Sequence, residues 1–225
     1  MNYSIFFKKN KSKRGFTRTP KFWVSGFTLT ELVVVMTIAT VVMTSVVIQQ
    51  SKWNDQLVVS TQAYEMALVI RQAQIYALGV RGDPTGIGDK FNIGYGVYFS
   101  SENADAFKRY IFFKDINNNG MYDSGEQIQE ESKILTRDVI IDRFCGIKGT
   151  NSDRCSPGIG NVAFLHIVFF RPEPKANIIM RNSGGGPALN VNPPAKIFLK
   201  SPQGKYYYVQ VEENGQISTG EGGST

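Results

Sequence analysis

The stretch SGFTLTELVVVMTIATVVMTSVVI, Ser25 to Ile48, decides how the rest of the chain is read. From Phe27 to Ile48 it holds 22 residues: fifteen apolar, five Thr, one Ser and one carboxylate, Glu31. As a helix rising about 1.5 Å per residue it spans roughly 33 Å, enough for a hydrocarbon core of about 30 Å. Ahead of it lies a basic arm. Seven of the 25 Lys and Arg fall in residues 1–25, which contain no acid, and the remaining 18 face 19 Asp and Glu. The net charge of +6 therefore belongs to the arm, and the near-neutral remainder speaks against a nucleic-acid partner, which needs clustered Lys and Arg. A basic arm directly before an apolar run stays on the cytoplasmic side of a membrane, so the rest of the chain is expected outside the cytoplasm. The alternative is a secretory signal peptide. Against it, the run exceeds an h-region of about 7–15 residues, and no small-x-small site with a polar start follows.

Glu31 then needs a reason. A carboxylate well inside a membrane helix costs on the order of 2.5–3.5 kcal/mol on insertion scales, so it calls for a partner. The sequence offers one if the chain is cut between Gly26 and Phe27: the new ammonium stands four residues before Glu31, one helical turn away. The plainer alternative leaves Glu31 at the headgroup boundary, where its charge favours the helix N-terminus.

Beyond the membrane run there is no Gly or Pro from Ser51 to Leu78. Trp53, Leu57, Tyr64, Leu68, Ile75 and Leu78 recur at spacings that stack on one helix face, read here as the face packed into a core. Gly79, Gly82 and Pro84 end the helix, which is expected from about Phe27 to Leu78. Short β-rich runs follow, at 95–99, 110–114, 127–135, 139–144, 162–170, 177–180, 197–200 and 206–212. Asn182 to Pro194 reads as a loop and Gly220 to Thr225 as a mobile tail. A long helix followed by antiparallel strands is an α+β plan, with the amphipathic half of the helix packed on a sheet.

Three local features bear on chemistry. DINNNGMYDSGE, Asp115 to Glu126, fits the EF-hand loop spacing: Asp115, Asn117 and Asn119 at alternate positions, Gly120 at the turn, Met121 offering its carbonyl, then Asp123 and Glu126. These oxygens could wrap Ca²⁺, but the flanks read as strands and Asn-Gly is a hairpin signal, so a metal-free turn stands beside it. Cys145 and Cys155, the only two cysteines, are expected to form a disulfide in an extracytoplasmic setting. The sole histidine, His166, sits in the apolar run VAFLHIVFF and reads as a sheet or core residue rather than a zinc ligand. With no paired nucleophile pattern and no Gly-rich phosphate loop, no enzyme is indicated.

Gly26, Phe27, Thr28, Leu29, Thr30 and Glu31, followed by the apolar run, resemble the class III signal of type IV pilins and pseudopilins. The resemblance implies that a prepilin peptidase removes the leader after Gly26 and N-methylates Phe27. It also implies that Glu31 docks an incoming subunit onto a neighbour's N-terminus in a helical filament. RQAQ at 71–74, YIFFKDINNNGMYDSGE, IVFFRPEP and IFLKSPQGKYYYVQVEENGQIST extend the likeness to GspH/FimT-type minor pilins. There is no Pro near Ile48, where many major pilins kink, and residues 220–225 lack the Gly-Arg-x-Arg pattern of DNA-binding members. The resemblance implies five segments: a cleaved leader at 1–26, a transmembrane and filament-core helix at 27–48, its amphipathic continuation at 49–79, an extracytoplasmic β-rich domain at 80–219 and a tail at 220–225. It implies a single-pass inner-membrane protein that joins or primes a type IV pilus or type II secretion pseudopilus, with other pilin subunits and a membrane assembly platform as partners. The alternative is a pilus-tip binding module, an adhesin or DNA-uptake receptor.

Overall fold

The computed structural model describes residues 26–79, 93–102, 105–148, 152–156, 162–184, 186, 188–189 and 192–222. The leader before Gly26, the stop signals Gly82 and Pro84, and the last three residues lie outside them. Two compact units meet between Val46 and Val47.

A single helix, α1, runs over Leu29–Leu78. Thr28 caps it: its Oγ1 accepts the Glu31 backbone N–H at 3.2 Å, satisfying one of the donors that the first turn leaves open. Up to Val46 every side chain is exposed. The hydroxyls in this stretch return to the helix itself. Thr37 donates to the Val34 carbonyl, Thr40 to Thr37, Thr44 to Thr40 and Ser45 to Val41, at 2.8–3.2 Å. Among the described residues one helix, α1, is thus long and apolar enough to cross a membrane.

Among the described residues the second unit holds the rest of α1 and eleven strands: β1 Gly94–Ser100, β2 Arg109–Asp115, β3 Lys133–Ile134, β4 Ile140–Lys148, β5 Ser152–Ser156, β6 Val162–Phe169, β7 Ala176–Asn182, β8 Ala188–Leu189, β9 Asn192–Lys200, β10 Tyr206–Val211 and β11 Ile217–Gly222. They form two antiparallel sheets, ordered β3-β2-β1-β6-β7-β8 and β11-β10-β9-β4-β5. The expected α+β arrangement holds: α1 packs on both sheets. Alternate residues point inward. From the first sheet come Val97, Phe99, Phe112, Leu165, Ile167 and Met180; from the second come Ile141, Phe144, Ile197, Leu199 and Val209; all are fully buried in one core.

The face that α1 turns to this core is not the expected one. Val58, Val59, Ala63, Met66, Val69, Ile70, Ala73 and Ala77 are buried, whereas Trp53, Leu57, Tyr64, Leu68 and Ile75 are 52–67% exposed and Leu78 is 38% exposed. At 100° per residue the two sets lie on opposite sides of the helix. The buried face mixes small Val and Ala residues with Met66 and Ile70, which fill the core between helix and sheets. Polar residues fix the docking: Gln62 Oε1 accepts Thr136 N–H at 3.2 Å, and Gln74 Nε2 donates to the carbonyls of Pro174 and Gly215, each at 3.1 Å. Tyr76 packs edge-on against Tyr95 and Phe112 with ring centres 5.7 Å away in both cases.

Three boundaries also differ from the sequence reading. Of 127–135 only β3 is a strand, apart from a lone bridge between Gln127 and Phe113, because residues 128–132 turn back on the Ile128 carbonyl. The expected loop 182–194 contains β8 and the start of β9. Pro193 and Pro194 are tolerated where pairing with β4 slips between Gly146 and Ile147 and pairing with β10 has already ended at Ala195. Gly220 to Gly222 belong to β11 rather than to a mobile tail, paired to β10 through the Asn214-Gly215 hairpin. Only Gly suits that turn: Gly215 has φ +83°, and a Cβ there would stand 2.0 Å from the Pro174 oxygen.

Candidate functional site

The residues singled out in the sequence fall into separate places. Gly26 and Phe27 precede α1 in non-helical chain, with Phe27 79% exposed, and Glu31 is exposed in the first helical turn. The ion pairs among the described residues, Lys108–Asp138, Arg143–Asp142 and Lys175–Glu173, leave Glu31 out. In the second unit the exposed apolar stripe of α1 borders a cavity of about 390 Å³, lined by Trp53, Leu57 and Tyr64 of the helix and by Tyr207 and Glu221 of β10 and β11. Tyr64 and Tyr207 lean together there, ring centres 6.1 Å apart.

The Asp115–Glu126 loop is closed by its own backbone. Asp115, fully buried, accepts the N–H of Asn119 at 3.1 Å and of Gly120 at 2.7 Å. Glu126, 5% exposed, accepts Ile116 N–H and Asp123 N–H, both at 2.9 Å. Burial pushes both carboxyls above their ordinary pKa, and these backbone donors pull the other way. The amides of Asn117 and Asn119 both donate to Asp123 Oδ2, at 2.9 and 2.7 Å, while their oxygens accept backbone N–H groups two residues on. Gly120, at φ +76°, lies against β7, where a Cβ would come within 2.8 Å of Asn177 and Ile179. This is a hydrogen-bonded turn with the EF-hand spacing. Among the described residues no group of three or more His, Cys, Asp or Glu side chains is placed to hold a metal ion.

His166 pins that loop to the sheet. It is 3% exposed on β6, and its Nδ1 accepts the Tyr122 backbone N–H at 3.0 Å. Burial, with Arg181 nearby, lowers its pKa to about 4, so it is neutral at pH 7 and available as an acceptor. Cys145 and Cys155 are bonded, directly opposite one another in the β4–β5 pair with Cα atoms 4.1 Å apart. The expected bond is present, and it ties down the edge strand β5.

Two surface features escaped the sequence reading. One is the exposure of the α1 stripe. Its signal was partial: Val and Ala gather on the buried face of α1, but Met66 and Ile70 lie there as well. The other is an aromatic group on the first sheet's outer face, Tyr98, Tyr122 and Phe164, drawn from three separated segments and so without a local signature. Comparison with known proteins returned no match: no family model, no curated protein and no solved structure resembles the chain.

Proposed function

We propose that the chain is a minor pilin or pseudopilin, a structural subunit that a prepilin peptidase cuts after Gly26 and that joins or primes a helical filament through α1. One observation carries this reading. α1 leaves its first half exposed and largely apolar, and its second half exposes an apolar stripe on the side opposite the residues it buries in the core, bordering the second sheet at Tyr207. An exposed apolar surface of this extent calls for lipid or for another subunit. The GFTLTE motif supports the processing step, and Glu31 in the first turn is the acid that would meet a neighbour's new N-terminal ammonium. The hairpin disulfide accords with an extracytoplasmic β-rich unit.

The experiment compares wild type with Glu31→Ala for membrane level, N-terminal mass and filament incorporation. The expected wild-type chain starts at methylated Phe27. The variant should insert and be cut normally, because the scissile bond lies at Gly26 and the carboxylate that lipid would have to bury has been removed. It should be depleted from filaments, having lost an attraction that the low-dielectric membrane strengthens. Normal incorporation would refute the docking role and favour the helix-terminus reading that the Thr28 cap also accommodates.

A further inference from the structure

The outer face of the first sheet, turned away from α1, carries a cavity of about 270 Å³. Its floor is the sheet itself: Tyr98 on β1 stands opposite Ile111 on β2 and His166 on β6. One wall is the turn after β1, which brings Glu102. The other is the Asp115–Glu126 loop and its exit, which bring Tyr122 and Gln127. Arg109, at the start of β2, completes the rim, and Phe164 lies beside Tyr98 at 5.9 Å with the rings 25° from parallel.

We propose that this cavity is a binding site for a neutral pyranose saccharide. Tyr98, Tyr122 and Phe164 are half-buried and lock one another, Tyr98 and Tyr122 having ring centres 4.9 Å apart. The Tyr122 N–H bond to His166 fixes the wall in place before any ligand arrives. Aromatic faces carry negative quadrupole density and attract the polarised C–H groups of one face of a sugar ring. The exposed rim supplies the Arg109 guanidinium, whose fork suits vicinal hydroxyls, the Glu102 carboxylate, and the Gln127 carboxamide, whose Nε2 already donates to Ser132 at 3.3 Å and whose oxygen can accept. Glu102 is already aimed: Ser183 donates to its Oε1 at 2.9 Å, leaving Oε2 to accept from a hydroxyl. The opposite charges of Glu102 and Arg109 also set the class. A phosphate- or carboxylate-bearing ligand would meet Glu102 and a cationic one would meet Arg109, whereas a hydroxyl-rich neutral ring uses both. The site shares no residue with the exposed α1 stripe and stands whether or not the chain enters a filament.

The test uses the full chain in phospholipid nanodiscs, free of glycoside detergents, which would compete. Methyl glucosides, methyl galactosides, N-acetylglucosamine and cellobiose are screened by saturation-transfer NMR and the binders titrated. At least one should bind, with saturation strongest on the C–H protons of one ring face. Arg109→Ala and Gln127→Ala, both at exposed positions, should weaken it about tenfold or more. Lys205→Ala, at an exposed turn outside the cavity, should change nothing. No binding by any probe would overturn the proposal, as would equal binding by wild type and the two rim variants. Preferential binding of acetate, sulfate or tetramethylammonium, run as controls, would overturn it as well.

Discussion

The two faces of α1 in the β-rich unit are both apolar and both follow the helical repeat, yet they do different work. One presents Val58, Ala63, Met66, Ala73 and Ala77 to the sheets and is sealed by Gln62 and Gln74; the other presents Trp53, Leu57, Tyr64, Leu68 and Ile75 to the outside. A helix lying on a sheet needs side chains that fill the gap, here Met66 and Ile70 among smaller Val and Ala, and a few polar clamps for the open donors and acceptors of the loops. On the outer face the large side chains stay more than half exposed, and Tyr64 leans against Tyr207 near the edge of the second sheet. Periodicity finds apolar faces, and it takes polar neighbours with backbone partners to tell an inner face from an outer one.

The sharpest way to break that contrast is a pair of truncations two residues apart. Met66→Ala, at a fully buried site, should cost about 2–5 kcal/mol in denaturant unfolding. Leu68→Ala, at a site 66% exposed, should stay within about 0.5 kcal/mol and instead reduce filament incorporation. Comparable losses of stability at both positions would erase the distinction.

A second contrast sets the core against the outer face of the first sheet, where His166 is buried under Tyr98 and Tyr122 although it points away from the core. Its pKa falls from 6.5 to about 4, so the folded state binds fewer protons than the unfolded one in that window. Stability should therefore be present above pH 6.5 and be lost as pH falls toward 4, by up to about 3 kcal/mol. Asp115 and Glu126, with raised values, act with the opposite sign: they favour the fold as they protonate. The difference between wild type and His166→Gln across pH 4–7 isolates the histidine, which faces Tyr98, Tyr122, Asp123 and Arg181; a flat difference would show that this outer face does not bury it.

A smaller effect is expected at the edge of the second sheet. Reducing Cys145–Cys155 closes no cavity and removes only a short cross-link, so unfolding should become easier by about 2 kcal/mol. Non-reducing peptide mapping should recover the joined pair from native protein; two free thiols would count against both the bond and the compartment.

α1 was legible because nothing between Leu29 and Leu78 interrupts it and because a 22-residue apolar run admits few other readings. β1, β2, β6 and β10 announce themselves through β-branched and aromatic runs. β5, with the sequence SDRCS, and β11, with ISTGEG, do not, since they are edge strands whose pairing is supplied by a disulfide and by a hairpin turn rather than by apolar alternation. The saccharide cavity was invisible for a different reason: Tyr98, Tyr122 and Phe164 lie far apart in sequence, Tyr98 and Phe164 meeting through the β1–β6 register and Tyr122 through the loop that its N–H ties to His166.

The hydroxyls of Thr37, Thr40, Thr44 and Ser45 all bond to carbonyls of their own helix. In lipid, such a segment makes no polar demand on its neighbours along most of its length, and can slide past or rotate against another helix at little cost. Glu31 is the exception, the one ionisable group in the run. A smooth rod with a single charged detent has one preferred axial stop. In a filament of the kind proposed, the step between successive subunits would be fixed at a single point near one end, while the remainder of the contact stayed free to shear under tension.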